Sequence, residues 1–218
     1  MELINTVEIS PYDFANKEYE YPNGSSKDLP DEWNKFWRKC LADKNLENLK
    51  AIRKGSYLVD IETIGNNELE EIIKNELEEV DLADYEEQVG QICGGIVIKI
   101  ENQFIIEPSC CGDIGNIQEW NSIFEEESKS WRQLWIGHPW IFYRKLNDQI
   151  EFSDYYEANF EDIKEIKSVL KISSDKLKEE LESINKKQII FENKIQKVLE
   201  EMEIQNSKQI AKLMTGNE

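Results

Sequence analysis

Hydrophobic and polar positions follow two different periods along the chain, and the switches between them mark the predicted elements. Leu3–Ile9 has the composition of a first strand. Pro11, Pro22, the run Asn23-Gly24-Ser25-Ser26 and Pro30 then predict a loop. Its aromatics Tyr12, Phe14, Tyr19 and Tyr21 are expected to pin it to the body. Behind Asp31, the expected N-cap, Trp33, Phe36, Trp37, Cys40 and Leu41 recur at helical spacing. Leu46, Leu49 and Ile52 predict a second short helix that ends near Gly55. Ser56–Thr63 predicts a strand, and Gly65-Asn66-Asn67 breaks it. Leu69, Ile72, Ile73, Leu77 and Val80 then share one face of a helix whose other face is almost wholly Glu, softened only by Lys74.

The middle of the chain turns to β patterning. Ile96–Ile100 and Phe104–Ile106 flank Glu101-Asn102-Gln103 as a hairpin. Gly94-Gly95 predicts a bulge or a close backbone approach. Asp113 or Asn116 is placed to cap a helix carrying Ile117, Trp120 and Phe124. Leu134–Ile136, Trp140–Arg144 and Gln149–Ser153 follow, separated by Gly137-His138-Pro139 and Asn147-Asp148. The fold class expected is α+β, a mainly antiparallel sheet of about five strands flanked by helices.

From Phe160 the pattern reads as helical, with Ile163, Ile166 and Leu170 as one stripe. Ser173-Ser174-Asp175 marks a new start. Leu181, Ile184, Gln188, Phe191, Ile195, Val198 and Met202 then keep a 3-4 spacing for about three heptads, a long amphipathic helix over about 175–204. Such a seam either self-associates into a homodimer or packs on its own domain. The expected division is an acidic α+β domain over 1–160 and C-terminal helices over 161–218.

Charge changes this picture. The 218 residues carry a net charge of −19, and residues 161–218 contribute only −1 of it. Glu68–Glu87 alone holds 10 acids and one Lys. Such a field repels nucleic-acid phosphate and anionic lipid and attracts basic partners. No basic leader followed by an apolar run opens the chain, no run is long enough for a membrane span, and four Cys do not make a disulfide framework. A cytoplasmic, reduced protein is expected, with no membrane or nucleic-acid partner.

The candidate chemistry is concentrated in the middle stretch. Cys110-Cys111-Gly112-Asp113 lies where a strand is predicted to enter a helix, a position that lowers a thiol's pKa. A nucleophilic Cys needs a base, and His138 is the only histidine. Cys93, Cys110, Cys111 and His138 also count as a three-Cys, one-His set, but without a CxxC pair zinc is disfavoured. No phosphate loop, HExxH or GxSxG element is present. No catalytic residue, metal or cofactor is therefore assigned. The alternative to chemistry is recognition. Trp131, Trp135, His138 and Trp140, joined by Trp120, have the composition of an interface hot spot. Glu78, Glu79, Asp81 and Asp84, with Glu125–Glu127, are the acidic residues expected to steer a partner.

Pro108–Asp113, Trp120 and Trp135–Trp140 resemble a bacterial protein type of unknown role that carries a PxCCGDlxxxxxW element followed by WIGHPW. The segment WIFYRKLNDQIEFSDYYE, residues 140–157, is similar to the last hairpin of the SUKH superfamily. The likeness covers under a third of the chain, and CCGD stands where that superfamily has a glycine-rich turn. It implies an α+β binding fold used by immunity proteins that neutralise bacterial toxins, many of them basic. Three functions remain open from the sequence. They are a non-catalytic protein-binding module of this kind, a thiol- or metal-dependent enzyme at the CCGD/His138 cluster, and a self-associating adaptor.

Overall fold

In chain order the elements are β1 (Glu2–Glu8), α1 (Pro11–Phe14), α2 (Pro30–Ala42), β2 (Leu58–Asp60), α3 (Asn66–Glu76), α4 (Tyr85–Gln88), β3 (Gly94–Ile100) and β4 (Gln103–Ile106). They continue with α5 (Ile117–Ser122), β5 (Arg132–Leu134), β6 (Ile141–Leu146), β7 (Gln149–Ser153), β8 (Ser168–Ser173), α6 (Ser174–Glu201) and α7 (Ser207–Thr215). This computed structural model describes residues 1–125, 129–158 and 160–217. The class is α+β, as the patterning predicts. The strands form two four-stranded sheets, ordered β2-β1-β3-β4 and β5-β6-β7-β8, rather than one sheet of about five. No helix among the described residues is long and apolar enough to cross a membrane.

Two compact units divide the chain: Met1–Asn5 with Cys93–Gln188, and Thr6–Ile92 with Ile189–Glu218. In the first, β3 and β4 form the predicted hairpin, with Ile100 opposite Gln103 and a bulge between Ile98 and Lys99. The β5–β8 meander is antiparallel throughout. Its inner face (Leu134, Ile141, Tyr143, Ile150, Phe152) closes on Trp120 and on Leu177, Leu181 and Ile184 of α6. Period-2 alternation on the strands and 3-4 spacing on the helix thus meet in one core. β8 corrects the helical expectation after Phe160. In SVLKIS, Leu170 and Ile172 are buried while Val169 and Lys171 face out, which is strand alternation.

The second unit packs α2, α3, the end of α6 and α7 beside β2 and the end of β1. Phe36, Trp37, Cys40 and Leu41 are the buried face of α2. Trp37 Nε1 donates to Ile9 O at 2.7 Å. Pro30 occupies the first helical position and Leu29 is the N-cap, so Asp31 sits inside the first turn and pairs with Lys54 instead of capping. Leu46 and Leu49 are buried, but the segment after α2 runs through turns and forms no second helix.

α6 starts where the Ser173-Ser174-Asp175 signal predicts. Its seam is internal: Ile195 is 0% and Val198 2% exposed within the single chain. Of the two alternatives open to this stripe, packing within the chain accounts for the burial of Ile195 and Val198.

Candidate functional site

Three short motifs, far apart in sequence, converge in the first unit. Ser109–Gly112 closes a β-turn through Gly112 N–H to Ser109 O at 2.9 Å. Cys110 and Cys111 hold its two corners. Cys111 has φ +68°, the pattern of a type II turn, whose second corner normally takes Gly. The loop from Trp135 to Trp140 lies against this turn. Ser109 N–H donates to Ile136 O at 3.0 Å, and His138 N–H donates to Cys110 O at 2.9 Å. From the other side Gly94 N–H donates to Gly112 O at 3.0 Å, and Cys93 pairs with Asp113.

This interlock needs glycine. A methyl on Gly112 would lie 2.7 Å from Ile136 O and 3.1 Å from both Gly94 O and Ser109 O. Gly137, at φ +102°, faces Ser109 O and Cys110 O just as closely. The close approach predicted for Gly94-Gly95 is present too, with Gly95 against Pro108.

Cys110 and His138 form an antiparallel bridge, which turns their side chains to the same face. The His138 ring stands edge-on to Trp140 at 4.8 Å, and Trp140 lies 5.2 Å from Trp135. His138 Nε2 is 3.6 Å from Glu157 Oε2 and 3.4 Å from Glu157 O. Cys110 and Cys111 are both exposed, with their sulfurs 3.4 Å apart. Trp131 lies under the Arg144 guanidinium, 4.5 Å from its carbon. Trp131, Trp135, His138 and Trp140 are all half-buried, so each retains an accessible edge.

Trp120 does not join them. It is fully buried against Phe152 at 5.7 Å, and its Nε1 has no hydrogen-bond partner among the described residues. Asp113 caps the short helical segment, accepting from Asn116 N–H at 3.1 Å. Burial raises its pKa against the opposing pull of the Gly115 and Asn116 N–H groups. The expected helix N-terminus beside the thiols is therefore already capped, and α5 behind it has only six residues. Among the described residues no group of three or more His, Cys, Asp or Glu is gathered to hold a metal.

The acidic residues singled out from sequence belong to the second unit, and all four are exposed. Glu78 and Glu79 follow the end of α3, Asp81 turns the chain by accepting from Ala83 N–H at 3.0 Å, and Asp84 precedes α4. Lys74 bridges Glu70 at 2.8 Å and Glu71 at 2.7 Å. Of Glu125–Glu127, Glu126 and Glu127 lie outside the described residues. The second unit holds 26 acids against 14 Lys and Arg, and the first 19 against 12.

One feature is absent from the sequence-based expectations. A cleft of about 460 Å³ in the second unit is lined by Tyr12, Glu18, Tyr19, Tyr21, Phe36 and Cys40. Tyr19 is pinned as predicted, its hydroxyl donating to Asp43 Oδ1 at 2.8 Å, with Lys39 over its ring at 4.3 Å. Tyr12 and Tyr21 are 61% and 68% exposed, though the Tyr12 ring still lies tilted against Phe36 at 6.0 Å. The aromatic loop was the available signal, but composition does not tell which rings turn outward. No family model matches this chain, and no curated protein or solved structure shows significant similarity to it.

Proposed function

We propose that this protein is a non-catalytic binding module for a basic protein partner, most concretely an immunity protein that neutralises a basic toxin. The observation that carries the reading is the half-buried Trp135–His138–Trp140 patch on a backbone-locked double turn. Aromatic anchors that are ordered before binding lose little entropy when a partner covers them. The similarity of residues 140–157 to the last SUKH hairpin supports the same reading, and β6 and β7 do form a hairpin there. The exposed carboxylates of Glu78, Glu79, Asp81 and Asp84 supply the charge that steers a basic partner.

The test is capture from the producing cells at low and high salt, comparing the wild-type chain with Trp140→Ala and with Glu78, Glu79, Asp81 and Asp84 changed to Lys. One basic protein recovered at low salt, and lost with either variant, supports the reading. Its activity must then be inhibited by the wild-type chain in a purified mixture. Recovery that neither variant nor salt changes removes it.

A thiol-dependent activity is the second reading, favoured by the Cys110–His138 pairing next to Glu157. It requires that His138→Gln slow alkylation of Cys110 by iodoacetamide. An unchanged rate excludes it.

A further inference from the structure

Cys110 and Cys111 are adjacent in sequence, both exposed, and their sulfurs are 3.4 Å apart. A disulfide bond is about 2.05 Å long, so roughly 1.4 Å of closure separates this pair from a bond. The surrounding backbone holds that arrangement. The Cys110 carbonyl is fixed by His138 N–H, and the Gly112 N–H to Ser109 O bond closes the turn beneath both residues. Cys111 occupies a left-handed conformation, φ +68°, that disfavours any residue with a Cβ. A second thiol is thus kept at a corner where glycine would be easier.

We propose that Cys110 and Cys111 form a reversible dithiol–disulfide exchange site whose co-reactant is a small disulfide. The first thiolate attacks one sulfur of the small disulfide and expels one thiolate, leaving a mixed disulfide on the protein. The neighbouring thiolate then attacks the protein sulfur of that bond and expels the second small thiolate. Two protein thiols lose two protons and two electrons, and the small disulfide is reduced to two thiols. The ring that closes spans adjacent residues, whose Cα atoms are about 3.8 Å apart, below the usual range of about 4.4–6.8 Å for a disulfide. Such a bond is strained, and strained, exposed disulfides are the labile ones. The site is therefore a reversible exchanger, not a structural staple. It does not depend on the binding reading above.

The experiment equilibrates the full chain in glutathione buffers of graded ratio, quenches in acid, alkylates and maps the peptides by mass. The expected result is loss of two hydrogens from the peptide holding both Cys110 and Cys111, in a monomeric chain, reversed by dithiothreitol. Cys110→Ser and Cys111→Ser each abolish that loss and carry one glutathione on the remaining thiol instead. A wild-type chain whose two thiols stay alkylatable at every ratio overturns the proposal. So do two separate glutathione adducts, or a bridge from either residue to another chain.

Discussion

Asn5 Nδ2 donates a 2.8 Å hydrogen bond to Gln188 Oε1 across 183 residues of sequence, with both side chains buried. It explains why a polar residue stands in the apolar seam of α6. Gln188 answers Asn5 of β1 within the same chain. Asn5→Leu or Gln188→Leu alone leaves a buried amide without its partner and is expected to cost about 1–3 kcal/mol. The double variant is expected to cost less than the sum, with a coupling of about 1 kcal/mol or more in urea unfolding. Strict additivity would show that the bond carries no weight.

That pair also shows what was legible beforehand. Local periodicity located α2, α3, α6, the β3–β4 hairpin and the β6–β7 turn at Asn147-Asp148, because each rests on neighbours in sequence. It put Gln188 in the seam, but Asn5 is a partner that only the folded chain supplies. The Ile163, Ile166 and Leu170 stripe imitated a helix where β8 has period-2 alternation. The patch residues Trp135, His138 and Trp140 were identifiable by type and proximity. Their interlock with Ser109–Gly112 was not, because it is made of backbone bonds between distant segments. Trp120 was assigned to the patch by composition, and burial alone removes it.

Glu151 is directly opposite Arg144 on β6 and Lys171 on β8. It pairs with Arg144 Nη2 at 2.7 Å and Lys171 Nζ at 2.6 Å while itself only 3% exposed. Lys171 first, then Arg144, pull its pKa below the ordinary carboxylate value. With the folded value below the unfolded one, its stabilisation is fully present above about pH 5 and is lost as pH falls through the folded pKa. Glu151→Gln is expected to cost about 1–3 kcal/mol at neutral pH, given the partial exposure of both cations. It should also flatten the acid limb of the stability profile. An acid limb unchanged in the variant would place the transition elsewhere.

Glu8 and Glu76 behave in the opposite sense. Desolvation, and then the charge of Asp13, raise both pKa values. The native state therefore holds these protons more tightly than the unfolded chain. Their contribution to stability falls as pH rises through the raised folded values and returns on acidification. Asp13→Asn removes the shared repulsion. All three side chains are exposed, so solvent screens the repulsion, and the variant is expected to stabilise the protein by at most about 0.5 kcal/mol at neutral pH and by less near pH 4. Thermal melts at the two pH values give the comparison, and a larger gain at the lower pH would contradict it.

Ile195 separates an internal seam from an oligomeric one. It is fully buried in the single chain, so Ile195→Ala is expected to cost about 2–5 kcal/mol through the cavity it leaves. The mass in solution before unfolding should be unchanged. If the variant keeps its stability but loses half its mass in sedimentation, the seam joins two copies.

The turn beneath the aromatic patch makes the sharpest contrast between two substitutions. Cys111 is a side chain in a left-handed conformation, and Gly137 is a glycine in a position that no side chain fits. Cys111→Gly relieves local strain and is expected to raise stability by about 0.5–1 kcal/mol, leaving the Trp135–Trp140 near-ultraviolet circular dichroism intact. Gly137→Ala drives a methyl into Ser109 O and Cys110 O. It is expected to cost about 2–4 kcal/mol and to lose that aromatic signal, because the His138 N–H to Cys110 O bond must open to make room. If both variants melt like the wild type, the two loops are not locked together, and the pre-organisation that supports partner binding fails with them.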